Sequence, residues 1–368
     1  MATATRVAVV GGGYAGLAAL PGLLQISGGE VHLWDPSDGQ QLLPELPSAL
    51  VGDDAVERHV LPFAKLLAGT GVVHHPHAVV EVKSSARLLV DDTGHQAAFD
   101  WVIVAVGTDT AWPPVPGLRR HAWPFHSAAD AQRLKRALAA APRGRVLVGG
   151  GGLTGVELAG ALSERWPVTL VEAADRLLPS LGPGLARYGR ERLTRAGVHV
   201  RTGRPIARVD AGTVTLDGGP SVPWDVFIWA GGLAAPATPM IEGAQHDNQG
   251  YAVADPWGQV APHVYVAGDA WLHRDGARIG PQTAQAATAD GQFVAEAIRR
   301  SAAGERPSSA HTPNNCGMLV SLDPHRGVGW VVDEGLPVWG YGARLMKDVV
   351  FRQYRHRVAA RLGTLRRP

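Results

Sequence analysis

Residues 145–157 read RVLVGGGGLTGVE, and this stretch decides the fold. Val146–Val148 is a run of apolar β-formers that enters a glycine turn. Gly150, Gly152 and Gly155 then match G-x-G-x-x-G, and Val156–Leu162 reads as the start of a helix. This is the phosphate-cradling turn of a dinucleotide-binding βαβ unit. Its first glycine makes the tight turn, its second lets the backbone approach a pyrophosphate, and its third lets helix and strand pack closely. The helix N-terminus adds unpaired N–H groups and partial positive charge. Seventeen residues after Gly155 the apolar run Val168–Val171 ends in Glu172, a carboxylate placed for ribose hydroxyls.

The same pattern opens the chain. Val7–Val10 leads into Gly11, Gly13 and Gly16, and Val31–Trp34 ends in Asp35, nineteen residues after Gly16. One glycine motif is weak evidence. Two, each led by a strand, opening a helix and followed by an acid, are strong. Two such sites in one chain imply a bound flavin dinucleotide and an exchangeable nicotinamide. A second echo supports the duplication: DWVIVAVGTD at 100–109 and DVFIWAGG at 225–232 each run acid, apolar strand, glycine turn. Strands apolar on both faces belong inside a parallel sheet.

The expected fold is therefore α/β, with two Rossmann-like dinucleotide-binding domains and a small C-terminal domain. Residues 1–112 and 245–300 are assigned to an FAD-binding domain, 113–244 to an inserted NAD(P)H-binding domain, and 301–368 to the third unit. The Pro-rich AWPPVPG at 111–117 marks the first crossing. Ser127 reads as the N-cap of a helix to Ala141 with Leu134 and Leu138 on one face. Val72–Val82 and Arg87–Val90 read as strands, and 281–300 as a helix opened by Pro281.

Composition narrows the function. Hydrophobic residues make up 45% and charged residues 18% of 368, enough for large cores and too apolar for disorder. A net charge of +2 gives no reason to expect a nucleic-acid partner. The single cysteine, Cys316, excludes an intrachain disulfide or a C-x-x-C redox pair, so electrons must leave a flavin directly. No apolar run reaches the ~18 residues of a membrane-spanning helix, and the N-terminus lacks a secretory signal pattern. A cytoplasmic location is expected, with peripheral contact on the cytoplasmic membrane face.

With both glycine motifs, VAVGT at 104–108, VYVAGD at 264–269 and PQTAQ at 281–285 in that order, the chain resembles the type II NADH:quinone oxidoreductases and their apoptosis-inducing-factor-like relatives. These are FAD-dependent pyridine nucleotide oxidoreductases. The resemblance covers nearly the whole chain and implies residue roles. Gly11, Gly13, Tyr14, Ala15 and Gly16 would cradle the FAD pyrophosphate and Asp35 its adenosine ribose. Val79 would meet the adenine, and Val106, Gly107 and Thr108 would line the FAD. Asp269 would bond the ribityl or phosphate oxygens, and Thr283 and Ala284 would offer N–H groups to the flavin ring. Gly150, Gly152, Leu153, Gly155 and Glu172 would bind the nicotinamide cofactor, with Gly231 and Gly232 beside it. Glu157 would act where nicotinamide meets flavin, by positioning or by relaying protons, and Gln285 would face a quinone.

Two departures stand out. The family often carries a second glutamine where this chain has Ala289, and the loop DPSDGQQLLP after Asp35 lacks the usual aromatic and histidine. The acceptor is accordingly a membrane quinone or a soluble quinone-like aromatic. Glu172 would repel a 2′-phosphate by about 1 kcal/mol even in a watery setting. NADH is therefore preferred over NADPH, although Arg176 stands four residues on.

Each role has a plainer counterpart. Asp269 could cap the following helix, and Glu157 could serve the helix dipole. His74, His75 and His77 lack carboxylate or cysteine partners in sequence, and no metal is expected. Trp257, Trp271, Trp330 and Trp339 are candidates to line an acceptor pocket. Residues 344–368 hold eight Arg or Lys against one acid. Met346, Val350, Tyr354, Val358, Leu362 and Leu365 form an apolar stripe at helical spacing. A basic amphipathic helix fits anionic lipid, docking on the protein itself, or an acidic partner. Expected partners are a small quinone-like acceptor, the membrane surface and a second copy in a homodimer. The alternatives are a reductase of a small ferredoxin- or rubredoxin-like protein, and a non-catalytic NADH-sensing flavoprotein.

Overall fold

A computed structural model describes residues 4–52, 55–275, 278–280, 282–305, 310–311, 317–332 and 335–363, with backbone alone at 275, 278 and 279. The chain opens with β1 (Thr5–Val10), α1 (Tyr14–Leu23) and β2 (Gly29–Trp34), then adds β3 (Val73–His75) and β4 (Trp101–Val104). A second unit follows: β5 (Trp123–Pro124), α2 (Ala128–Ala140), β6 (Val146–Gly149), α3 (Leu153–Leu162), β7 (Val168–Val171), β8 (His199–Arg201) and β9 (Val226–Trp229). β10 (Gln259–Ala261), β11 (Val264–Val266) and α4 (Ala284–Ala302) complete the first unit. β12 (Gly317–Asp323), β13 (Arg326–Val331), β14 (Leu336–Trp339) and α5 (Gly340–Gly363) end the described chain.

The two units repeat one design. The first sheet runs β10-β11-β4-β1-β2-β3 and the second β5-β9-β6-β7-β8. The common series, β4-β1-β2-β3 and β9-β6-β7-β8, are parallel throughout. Each unit inserts a three-stranded antiparallel meander before its last common strand, at 79–98 and at 206–223. The acid that precedes each buried strand has a shared job. Asp100 Oδ2 accepts from Arg6 N at 2.8 Å, and Asp225 Oδ2 accepts from Arg145 N at 2.7 Å. Each carboxylate thus satisfies an N–H at the start of the neighbouring strand.

Three expectations are refined. Val72–Val82 is two strands, Val73–His75 and Val79–Lys83, in different sheets. Pro76 between them has no N–H to carry the ladder onward. Met240–Ile241 pairs with Glu81–Val82, so the chain is back on the first unit before residue 245. The C-terminal segment builds no separate core among the described residues. Val320, Leu322, Val328 and Trp330 enter the core of the second unit, whereas Val358 and Leu362 enter that of the first. Three short strands and one helix bury too little area to stand alone. They form a strap across both units. Its approach is close: a Cβ on Gly160 of α3 would sit 2.1 Å from the Leu322 carbonyl oxygen.

Other expectations hold. Ser127 Oγ accepts from Asp130 N at 3.0 Å and starts α2. The helix read at 281–300 begins instead at Ala284, where Thr283 caps α4 by accepting from Ala286 N at 3.2 Å. Pro281, Cys316 and Leu365 lie outside the described residues.

Candidate active site

Each glycine turn divides its labour the same way. Gly11 has φ +101° and Gly150 φ +109°, and a Cβ on either would sit 2.4 Å from a carbonyl oxygen, of Ala105 or Ala230. A Cβ on Gly16 or Gly155 would lie within 2 Å of the oxygen of Gly11 or Gly150. These four positions are small because the chain's own backbone fills the space. Gly13 and Gly152 differ: no heavy atom lies within 4 Å of either would-be Cβ. The space above each second glycine is open, at the N-terminus of α1 or α3, where Tyr14 and Leu153 begin the helix and Ala15 is buried. Such an opening at a helix N-terminus is the kind of place a βαβ turn offers to a pyrophosphate.

The two acids are equally matched. Asp35 Oδ2 accepts from Gly12 N at 2.7 Å and Oδ1 from Ser37 N at 2.8 Å. Glu172 Oε2 accepts from Gly151 N at 2.5 Å and Oε1 from Ala174 N at 2.7 Å. Each carboxylate is thereby aimed at its turn and keeps lone pairs for a ribose. Arg176 gives its guanidinium to the Leu181 and Pro179 carbonyls at 3.0 and 2.9 Å, so it is not poised beside Glu172 for a 2′-phosphate.

Around the first turn, Val79 is buried at the start of its meander. Val106–Thr108 follow β4, and the Thr108 carbonyl accepts from His126 Nε2 at 2.6 Å. Gly231 and Gly232 lie past β9, Gly231 packed on the Trp229 indole, whose N–H donates to the Ala111 carbonyl at 2.7 Å, and Gly232 beside Ala111. Asp269 sits in the turn after β11. Burial, helped by the charge of Asp290, pushes its carboxyl up to about 6.

Of these parts, Asp269, His126 and the first residues of α1 and α3 reach one cavity of about 770 Å³, whereas the glycines of both turns, Asp35, Glu172, Val79 and Val106–Thr108 do not line it. Tyr14 and Leu17 of α1 line one side and Leu153, Thr154 and Glu157 of α3 another. Asp269 and the start of α4, Thr283–Gln285, form the floor. Gln285 and Ala289 share the α4 face that borders it. Helix α5 closes it with Lys347, Phe351 and Tyr354. Burial pushes the Tyr354 hydroxyl up to about 12 although Gln40 donates to it, and burial raises Tyr14 as well.

Glu157 is engaged by the strap. It is buried, accepts from Ser321 N at 2.8 Å, and pairs with Lys347. A carboxylate in the first turns of α3 therefore ties α5 across the cavity. Sequence reading had no way to find Lys347, 190 residues away. Leu43, Pro44, Leu46 and Pro47 of the segment LPELP also line the cavity, because two short helical turns there pack against α3 in the core of the second unit. None of the four named tryptophans lines this cavity: Trp271 and Trp330 are core residues and Trp339 is exposed.

The apolar stripe of α5 splits. Tyr354, Val358 and Leu362 pack inward along with Ala343 and Lys347, whereas Met346 and Val350 face out. Leu345, Val349, Tyr341 and Trp339 join them as exposed apolar side chains.

Comparison with known proteins places this geometry. The family model for pyridine nucleotide-disulphide oxidoreductases matches residues 5–291. The demethylphylloquinone reductase NdbB of Synechocystis is 27% identical, covering 99% of this chain and 96% of that protein. A type II NADH:quinone oxidoreductase of Staphylococcus aureus is also 27% identical, covering 94% of each. Among solved structures, NDH2 from Plasmodium falciparum in complex with NADH aligns with a TM-score of 0.83 at 14% identity, covering 98% and 97%. The sulfide:quinone oxidoreductase of Aquifex aeolicus aligns at 0.80 and 14%, covering 97% and 92%. These two structures carry the fold.

Proposed function

The chain belongs to the pyridine nucleotide-disulphide oxidoreductase family, and from that premise we propose that it is an FAD-dependent enzyme passing two electrons from NADH to a quinone or quinone-like acceptor. One observation carries the reading. A single large cavity is walled by the helices of both glycine turns and floored by the start of α4. Two dinucleotides laid on those turns would point their reactive ends into one space. The curated relatives at 27% identity include enzymes named for quinone reduction. The disulfide of the family name has no counterpart here, since the chain has one cysteine.

Gly13, Asp35, Thr108 and Asp269 would hold FAD, and Gly152 and Glu172 would hold NADH. Bound FAD supplies the hydride-accepting and electron-donating chemistry. The reaction balances as NADH, a proton and a quinone giving NAD⁺ and a quinol. The chain contributes position and field. The α1 and α3 N-termini hold pyrophosphates. The start of α4 sets positive helix-end potential at the cavity floor, worth about 0.3–1 kcal/mol for a nearby anion. The Gln285 amide donates to an acceptor carbonyl, and Ala289 leaves that contact single. Phe351, Leu153 and Leu17 exclude water.

The acceptor reaches this cavity from a lipid surface. Trp339, Tyr341, Leu345, Met346, Val349 and Val350 are exposed, and Arg352 and Arg357 flank them on α5. Val350 and Arg357 also line the cavity. No helix among the described residues is long and apolar enough to cross a membrane, so contact would be peripheral. Co-sedimentation with anionic vesicles tests this: binding should fall tenfold or more in Leu345→Glu/Val349→Glu, and equal binding would remove the membrane. Steady-state assays test the acceptor. NADH oxidation with a soluble benzoquinone should proceed with little salt dependence. Steep loss of rate with salt, and ferredoxin as the faster acceptor, would favour a protein partner instead.

A further inference from the structure

A second constellation lies beside the active-site cavity. His273, Asp290 and His311 come from three segments, 17 and 21 residues apart, and their donor atoms lie within 4.8 Å of one another. Asp290 is on α4 and only 1% exposed. His273 Nε2 lies 3.0 Å from its Oδ2, and His311 Nε2 lies 2.7 Å from its Oδ1. Both imidazoles are largely buried and walled by aromatic rings. The Trp271 indole is 4.1 Å from His273, and Phe293 stacks on His311 at 4.5 Å. Gly268, Asp269, His273 and Asp290 border a small cavity that shares Asp269 and Gln282 with the large one.

We propose that His273, Asp290 and His311 form a binding site for a divalent first-row transition metal ion. The donor set is two imidazole nitrogens and one carboxylate, which suits zinc, iron(II) or cobalt(II) and not calcium or magnesium, which want oxygen. The spacing fits. Ligand atoms about 2.1 Å from one ion and tetrahedrally disposed sit about 3.4 Å from each other, so an ion replaces the two histidine–carboxylate hydrogen bonds of 3.0 and 2.7 Å by opening each of them by less than about 1 Å. The imidazoles close toward each other as it enters. Three protein ligands leave a coordination position for water, open toward the small cavity. The buried Asp290 charge also has a second acid near it in Asp269, and a dication relieves both. Such an ion would fasten residues 271–274, which follow Asp269, and residues 310–311 to α4. The metal would therefore be a positioning device for the cavity floor.

The test uses the full FAD-loaded chain without a polyhistidine tag, dialysed against chelator, and titrated with Zn²⁺ and Co²⁺. The site predicts saturation at one equivalent, a visible Co²⁺ d–d spectrum of low-coordinate N/O type, and a Tm that rises by a few degrees at 100-fold excess over Kd. His311→Ala and His273→Ala should each weaken binding by 100-fold or more, and His74→Ala should leave it unchanged. X-ray absorption of the Zn²⁺ form needs no variant and should count two imidazoles. No saturation at one equivalent, equal binding by His311→Ala, or a zinc shell lacking imidazole would each overturn the proposal. These readouts stand apart from the acceptor assays, so either reading can fail alone.

Discussion

Lys347→Met isolates the contact that ties the strap to the nicotinamide unit. Lys347 and Glu157 are 5% and 7% exposed, and the ammonium is paired with the carboxylate. Removing the lysine leaves a buried carboxylate with, among the described residues, only the Ser321 N–H as partner. Breaking a buried pair from one side costs about 3–5 kcal/mol. Unfolding entropy of roughly 2.1 cal/mol/K per residue over 368 residues gives about 0.8 kcal/mol/K. Lys347→Met should therefore lower Tm by about 4–6 °C in a calorimetric scan. Adding Glu157→Gln removes the stranded charge and keeps an acceptor for Ser321, so the double variant should regain most of that loss. The coupling across this double-mutant cycle should exceed about 2 kcal/mol. A Lys347→Met protein within 1 °C of the parent, or strictly additive losses, would refute the reasoning.

Three further outcomes follow from the site. Gly13→Val and Gly152→Val meet open space, so both proteins should fold, the first colourless and the second yellow but with KM for NADH raised at least 100-fold; a yellow Gly13→Val protein contradicts the N-terminal assignment. Glu172→Ala removes the ribose acceptor and the brace on Gly151, and should raise KM for NADH more than for NADPH; an unchanged ratio removes the basis for NADH preference. Glu45 joins His59 at 2.9 Å and pairs with Arg355 of α5. Although burial pushes its carboxyl upward, those two contacts hold it below the ordinary 4.5. A depressed acid contributes stability above its unfolded pKa that is lost as pH falls through the folded one. Hydrogen-exchange protection in 340–363, relative to the intrinsic rate at each pH, should therefore fall below about pH 4.5, and Glu45→Gln should show the lower protection already at pH 7; identical protection in both would place the anchor elsewhere.

The duplicated framework was legible because its signals are local. A strand, a glycine turn and an acid about 20 residues on fall within one βαβ unit, and two copies removed the ambiguity. Even the acid before each buried strand was visible as a pattern, though its partners, Arg6 and Arg145, became clear only in the sheet. What escaped depends on distant segments meeting. Val358 and Leu362 read as part of one stripe on one helix, yet the strap that carries them has no core of its own among the described residues. Glu157 looked like a cofactor residue because its position in α3 is readable, whereas Lys347 is not adjacent in any local sense. His273, Asp290 and His311 fall on two loops and a helix, with no spacing that marks a metal motif. Pro76 was in plain view and should have divided Val72–Val82.

The central claim is electron passage from NADH through a bound flavin to a quinone in one shared cavity. It is tested most directly by anaerobic spectra of the purified protein, taken before NADH, after one equivalent, and after a soluble quinone. The flavin band should bleach with NADH and return in full with quinone. A band that bleaches and stays bleached contradicts the quinone assignment, and a protein that takes up no FAD contradicts the two-dinucleotide reading itself.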